Sequence, residues 1–345
     1  MVTKYIKWEN NKGFCPEELK AAKELILTGG LVAFPTETVY GLGGNALSEE
    51  AAKKIYAAKG RPSDNPLIAH IADIEALNLL VDEVPEKGKR LINVFWPGPL
   101  TMIFKKKASV PYGTTGGLDT VAVRMPDHPA AAAFLRAVSV PVAAPSANTS
   151  GRPSPTLARH VKEDLGGKID MIIDGGQVGI GIESTIVDLT EDIPVILRPG
   201  YITKEMLEKE VGEVRIDKGL IAENVKPKAP GMKYRHYAPK GELTIFEGEQ
   251  EAVIRHINHL AEEYSEEKVG ILATEETKDR YKKGHVICVG SREKGTISKE
   301  LYRALREFDT WGATFIFAES FSGEPHGEAI MNRLAKAAGQ RIVYL

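Results

Sequence analysis

The chain has 345 residues, 43% of them hydrophobic and 27% charged, and a formal net charge of −2. That length accommodates two hydrophobic cores, and the near-balance of acids and bases excludes a surface built wholly to hold a polyanion. No apolar run reaches the roughly 20 residues that span a bilayer, the opening MVTKYIKWENNKGF lacks the apolar region of a secretory leader, and Cys15 and Cys288 fit neither a disulfide framework nor a metal spacing, so a cytoplasmic protein is expected.

In chain order, PEELKAAKELILTGG (16–30) places Leu19, Ala22, Leu25 and Ile26 on one face, carries acids in its first turn and stops at Gly29-Gly30, which predicts an amphipathic helix. LVAF (31–34) predicts a short buried strand ended by Pro35. SEEAAKKIYAAKG (48–60) predicts a helix with Ser48 as N-cap and Gly60 just past its end. Strands are expected at 66–71, 100–104, 120–125, 142–144, 171–174, 184–189 and 194–198, and helices near 128–138, 156–165 and 203–210. Residues 1–216 therefore read as an α/β domain on a mixed sheet, with the unusual chemistry in its loops. Between 217 and 241 the texture changes: KPKAPGMKYRHYAPK (226–240) holds Pro227, Pro230 and Pro239, five Lys or Arg and no acid, which predicts an extended basic linker. From 242 to 345, strands ELTIF, KVGILA, HVICVG and TFIFAE alternate with helices near 249–265, 298–308 and 326–339, the order of a small parallel, Rossmann-like sheet.

Several motifs bear on chemistry. GLGGNA (41–46) satisfies the loose form G-x-G-x-x-A, but PTETVY separates it from the preceding strand, whereas a dinucleotide fingerprint needs its turn at the strand end. No G-x-x-x-x-G-K-[ST] is present, which removes a P-loop site. PTETVYGL (35–42) concentrates hydroxyls and a carboxylate after a buried strand, where an α/β sheet exposes its ligand edge. In KGRPSDNPLIAH (59–70), Lys59 and Arg61 follow a helix carboxyl end in a loop stiffened by Pro62 and Pro66, an arrangement suited to aiming two cations at phosphate oxygens; the plain alternative is complementation of the helix dipole. APSANTSGRPSP (144–155) sets Ser146, Asn148, Ser150, Arg152 and Ser154 ahead of a helix expected near 156, where hydroxyls, an amide and unpaired backbone N–H groups make an anion cradle, or simply a polar turn. Asp174, Glu183 and Asp188 show no ligand spacing, and His256 with His259, at i, i+3 on a charged helix, reads as solvated surface before it reads as a metal pair. Nothing matches Ser-His-Asp or Cys-His nucleophilic machinery.

Together Lys59, Arg61, Ser146, Asn148, Arg152 and Arg198 point to a site for a nucleotide's phosphates. Residues 16–210 resemble the YrdC-like family throughout: FPTETVYGLGGNA, Lys59-x-Arg61 leading into PSDNPLIAHI, WPGPLT, VAVRMP, and Ser146-x-Asn148 within APSANTSG. With the linker APGMKYRHYAPK and the small second domain, the whole chain is similar to the two-domain L-threonylcarbamoyladenylate synthases of that family. The resemblance implies a twisted, mixed open sheet beside a Rossmann-like domain. It implies an enzyme that condenses L-threonine, bicarbonate and ATP into threonylcarbamoyl-AMP and releases pyrophosphate. The product would serve N6-threonylcarbamoyladenosine formation at position 37 of ANN-decoding tRNAs, through a separate transferase complex. Carried over by motif position, Lys59, Arg61, Ser146 and Asn148 would be catalytic. Arg61, Asn65, Thr120, Ser146, Ser154, Arg198, Tyr234 and Tyr237 would bind ATP, the two tyrosines as a lid. Thr38, His70, Arg124, Ala144 and Ser184 would bind L-threonine. Mg²⁺ would be carried by the phosphates with no protein metal site, and direct tRNA binding would be weak or absent. An RNA-binding module and a dinucleotide-dependent oxidoreductase are the competing readings, the first opposed by the near-neutral charge and the second resting on GLGGNA alone.

Overall fold

The computed structural model describes residues 2–9, 13–217, 237–324 and 326–345, which form two compact units. The first takes in the chain up to Ser150 and again from Pro155 to 217; the second takes in Gly151–Ser154 and the residues from 237 onward.

The first unit is built on strands β1 (Lys4–Lys7), β2 (Val32–Phe34), β3 (Gly41–Asn45), β4 (Ile68–His70), β5 (Leu100–Lys105), β6 (Thr120–Arg124), β7 (Val142–Ala143), β8 (Met171–Asp174), β9 (Thr185–Asp188), β10 (Val195–Arg198) and β11 (Arg215–Ile216). They form one mixed sheet in the order β1-β8-β2-β3-β7-β4-β6-β5-β9-β10-β11. Because side chains alternate along a strand, β2 feeds two cores: Val32 and Phe34 join Ile26, Phe134 and Met171 on one side, while Ala33 joins Leu42, Ile55, Leu91 and Phe104 on the other. Helix α1 (Pro16–Leu27) starts with proline in its first turn and Glu17 and Glu18 at its positive end, and it buries Ala22 and Ile26. Helix α2 (Glu49–Lys59) ends as the sequence predicts: Ser48 Oγ accepts from Ala51 N at 3.2 Å, and Gly60 takes φ +61°, a left-handed conformation that glycine adopts without a Cβ penalty.

GLGGN is strand β3, not a phosphate-binding turn. A Cβ on Gly43 would lie 2.7 Å from Val142 Cγ1 and 3.0 Å from Phe34 Cε1, so this glycine is a packing requirement between neighbouring strands. That removes the one support for the oxidoreductase reading. The helix expected near 156 is α6 (Ala158–Leu165), which begins after an N-cap Leu157 that offers no side-chain cap. Strands β1 and β11 and helices α3 (Glu86–Phe95) and α4 (Tyr112–Thr115) were not expected from the sequence. The remaining helices, α5 (Pro129–Val138) and α7 (Lys204–Val211), fall where periodicity places them.

In the second unit, β12 (Glu242–Glu247), β13 (Val269–Ala273), β14 (His285–Cys288), β15 (Phe315–Glu319) and β16 (Ile342–Tyr344) form an all-parallel sheet in the order β14-β13-β15-β12-β16, with helices α8 (Gln250–Glu262), α9 (Ile297–Trp311) and α10 (Gly327–Ala337). The detached segment Gly151–Ser154 is held within this unit. Arg306 on α9 donates to the Pro153 carbonyl from Nε at 3.1 Å and Nη2 at 2.6 Å, Arg152 pairs with Asp309 at 3.2 Å, and Ala238 N donates to Gly151 O at 2.9 Å.

Candidate functional site

Register puts His70, Thr120 and Arg124 on one face of the large sheet. Ile68 and His70 of β4 lie opposite Ala122 and Arg124 of β6, and Ala122 lies opposite Ile103 of β5. With a two-residue period, Thr120, Ala122 and Arg124 share that face. Ile68, Ile103, Ala122, Ile186 and Leu197 form a small buried cluster of their own, an apolar floor with Thr120 toward one end and Arg124 with His70 toward the other.

Two motifs distant in sequence meet beside this face. The Lys59 ammonium, 1% exposed, donates to the backbone carbonyls of Ser146 and Asn148, and its Nζ lies 3.4 Å from Asn148 Oδ1. Ser146 Oγ donates to Asn148 Oδ1 at 2.6 Å, and Ser150 N donates to Lys59 O at 2.9 Å. An ammonium at that depth must be surrounded by acceptors, and the turn after β7 supplies them. Lys59 therefore braces the Ser146–Asn148 turn. Arg61 is half-buried and donates to the carbonyls of Asn65 at 3.3 Å and Pro66 at 3.2 Å, which braces the proline loop. Asn65 itself is 1% exposed, and neither its amide nitrogen nor its amide oxygen has a hydrogen-bond partner among the described residues.

At the other end of the floor, Arg124 is 3% exposed and is gripped from three sides. Its Nε donates to Gly98 O at 3.2 Å, its Nη1 donates to Thr38 Oγ1 at 2.9 Å, and its Nη2 lies 2.6 Å from Glu37 Oε1. Thr38 Oγ1 also lies 2.9 Å from Thr36 Oγ1. His70 is fully enclosed; burial, and then the Arg124 charge, push its imidazole down to about 3, so it is neutral near pH 7, with Nδ1 3.0 Å from Ile68 O. Arg198 donates to Ser184 O from Nε at 3.1 Å and Nη2 at 2.9 Å, and Ser184 Oγ lies 2.7 Å from Thr101 Oγ1. Ala144 N donates to Ile68 O at 2.8 Å, which sets Ala144 beside β4.

Other expected residues fall elsewhere. Ser154, fully buried, and Tyr237 belong to the second unit, where the Tyr237 ring stacks on Tyr302 at 5.2 Å with its backbone at φ +65°. Arg152 is ion-paired with Asp309 of the same unit. Tyr234 and most of the linker lie outside the described residues. Among the described residues no group of three or more His, Cys, Asp or Glu could hold a metal ion, and His256 instead sets its ring 5.1 Å from Phe246. Sequence reasoning noted the carboxylate of PTETVYGL, which is Glu37, without assigning it a role, and passed over Thr101.

Comparison with known proteins covers both units. Residues 24–200 match the Sua5, YciO and YrdC family, described as telomere recombination, and residues 202–339 match the threonylcarbamoyl-AMP synthase C-terminal domain. The chain is 52% identical over 330 residues to the threonylcarbamoyl-AMP synthase of Bacillus subtilis, covering 94% of each. It is 50% identical to that of Pyrococcus abyssi, covering 94% of this chain and 95% of the relative. The solved structure of P. abyssi Sua5 complexed with L-threonine superposes with a TM-score of 0.92 at 47% identity, covering 100% of both chains. On these matches the chain belongs to the Sua5/YrdC family of threonylcarbamoyl-AMP synthases, in its two-domain form.

Proposed function

We infer that the chain carries the activity for which its relatives are named: it is an enzyme that uses ATP to make threonylcarbamoyl-AMP. The supporting observation is the tie from Lys59 to Ser146 and Asn148, which joins two motifs 87 to 89 residues apart into one polar turn beside the sheet face. L-Threonine, bicarbonate and ATP are the substrates and pyrophosphate is released. The carbamate oxygen formed on threonine displaces pyrophosphate in line at the α-phosphorus, a reaction governed by positioning and by neutralisation of phosphate charge, so no protein nucleophile is needed.

In the first unit, Arg61, Asn65, Thr120, Ser146 and Arg198 are read as facing the nucleotide, while Thr38, His70, Arg124, Ala144 and Ser184 face threonine. The nucleotide set offers cations, hydroxyls and an amide but no carboxylates, which suits a Mg²⁺ that arrives on the phosphates; such an ion neutralises phosphate charge. Arg124 meets the amino acid's carboxylate, and the neutral His70 can exchange a hydrogen bond with its hydroxyl. Threonine and serine then differ by one methyl, worth about 1 to 3 kcal/mol, so some serine is accepted. The amine reacts as its neutral form, which makes the rate rise toward alkaline pH. The enzyme works in the cytoplasm, passes its product to a separate tRNA-modifying transferase, and binds tRNA weakly.

The test is pyrophosphate release from ATP with threonine and bicarbonate omitted in turn. Dependence on both is expected, and release indifferent to either refutes the reading.

A further inference from the structure

The least conventional contact in the first unit is between Glu37 and Arg124. Both are nearly shut off from solvent, with side chains 12% and 4% exposed, and the Glu37 carboxylate oxygens are themselves buried. Oε1 approaches Arg124 Nη2 to 2.6 Å, yet the angles are too bent for a hydrogen bond, so neither carboxylate oxygen nor Nη2 has a hydrogen-bond partner among the described residues. A guanidinium carries five N–H groups. Gly98 O and Thr38 Oγ1 accept from two of those on Arg124. A buried acid and base left this way are costly unless something completes them.

Resting on the assignment of threonine to this end of the sheet, we propose that Glu37 is a specificity-determining residue that receives the substrate's α-ammonium, so that Glu37 and Arg124 act as a paired reader of a zwitterionic amino acid. The two charged groups of an α-amino acid sit on one carbon, and a carboxylate beside a guanidinium offers the matching pair of opposite charges. Arg124 alone would hold any small carboxylate, 2-hydroxy acids included. A negative charge next to it repels a second carboxylate unless that carboxylate brings its own cation. Glu37 thus turns a general acid-binding arginine into one that demands an amine, the group that must become the nucleophile. The backbone fixes Glu37 in place: its carbonyl accepts from Ile180 N at 2.8 Å, and the neighbouring Thr38 carbonyl accepts from Gly181 N at 3.1 Å. His128 also feels the Glu37 charge: burial, the larger effect, lowers its imidazole, and Glu37 with Asp127 raises it.

The test compares L-threonine with 2,3-dihydroxybutanoate, its analogue bearing hydroxyl in place of the amine, as ligands of the full-length enzyme and of Glu37→Gln. Calorimetric affinity is measured for both, alongside the KM for ATP. The variant is expected to bind threonine roughly 10- to 100-fold more weakly, to bind the analogue as well as or better than the unmodified enzyme, and to keep its KM for ATP. Equal loss for both ligands means a merely structural role and overturns the proposal, as does an unchanged preference for threonine. If Glu37→Gln does not fold, Glu37→Asp keeps the charge but withdraws it by one methylene; the preference for the amine should narrow, and an unaltered preference overturns the proposal. An unmodified enzyme that does not bind threonine at all refutes the underlying site assignment, an outcome separate from either variant's.

Discussion

Asn65 provides the sharpest test of the nucleotide assignment, because its two polar atoms make opposite demands on stability and on binding. Replacing Asn65 by leucine preserves the branched shape and removes both polar atoms. In the free enzyme this deletes a buried donor and a buried acceptor with no described protein partner. Such groups cost about 1 to 3 kcal/mol each when unsatisfied, so Asn65→Leu should stabilise the free protein. Taking about 1 kcal/mol as the net gain after imperfect repacking, the melting temperature of the unit rises by about 2 to 4 °C. ATP binding moves the other way. An amide presents a donor and an acceptor side by side, the pattern that pairs with adenine, and a base that loses those partners on burial forfeits roughly 1 to 3 kcal/mol, or about 5- to 150-fold in affinity. Differential scanning fluorimetry without ligand, together with pyrophosphate-release kinetics with ATP and GTP, reads both effects. A higher melting temperature, a raised KM for ATP, a preference for ATP over GTP that shrinks toward unity and an unaltered KM for threonine are expected. A lower melting temperature with ATP kinetics intact would refute the reasoning, since Asn65 would then be satisfied within the protein and remote from the base.

Three further outcomes follow from the same geometry. Lys59→Met leaves the Ser146 and Asn148 carbonyls without their buried donor, so it should lower thermal stability by several degrees as well as abolish pyrophosphate release; a fully stable but inactive variant would move Lys59 from bracing the turn to direct chemistry. Gly43→Ala forces a methyl to within 2.7 Å of Val142 and should cost about 1 to 3 kcal/mol in urea unfolding, without changing the ATP KM beyond the loss of folded protein. For His70, whose folded-state value falls from 6.5 to about 3, the unfolded chain takes up a proton that the folded chain refuses. Stability from this group is complete above about pH 6.5 and is lost as pH falls toward 3, with a slope of up to about 1.4 kcal/mol per pH unit. Chemical denaturation between pH 7 and 5 should show that decline, and His70→Gln should flatten it.

What could be read from residues alone divides along physical lines. Helices with caps and acids in their first turn, such as α1 and α2, were legible almost to the residue, because local signals coincide with tertiary burial. Strand β3 was not: glycine is a weak strand former, and the reason for Gly43 lies in Val142 and Phe34, residues the sequence does not mark as its neighbours. Strand β1 escaped notice because only Ile6 of its four residues is buried, an edge strand with almost no apolar signature. Helix α3 lacks a side-chain cap and starts after Pro85, with Gly88 in its first turn, so its start carries no local marker although its apolar face is well defined. The expected site residues were chosen by motif, which says nothing of their pairings. That Lys59 faces carbonyls, that Arg152 meets Asp309, and that Glu37 abuts Arg124 depend on long-range register, which no local pattern encodes.

The segment Gly151–Ser154 carries a consequence for how this protein can be divided. Eighty-odd residues before the rest of its unit is made, the ribosome has already delivered a strip that the later part requires. A fragment starting at 237 would bury the Arg306 guanidinium, 4% exposed, without the Pro153 carbonyl to which it donates twice. Losing the hydrogen bonds of a charged donor of that kind costs about 1.5 to 3 kcal/mol. The proline-rich stretch thus looks like a severable tether in the sequence, but scissors applied there would cut a garment whose clasp is sewn into the other half.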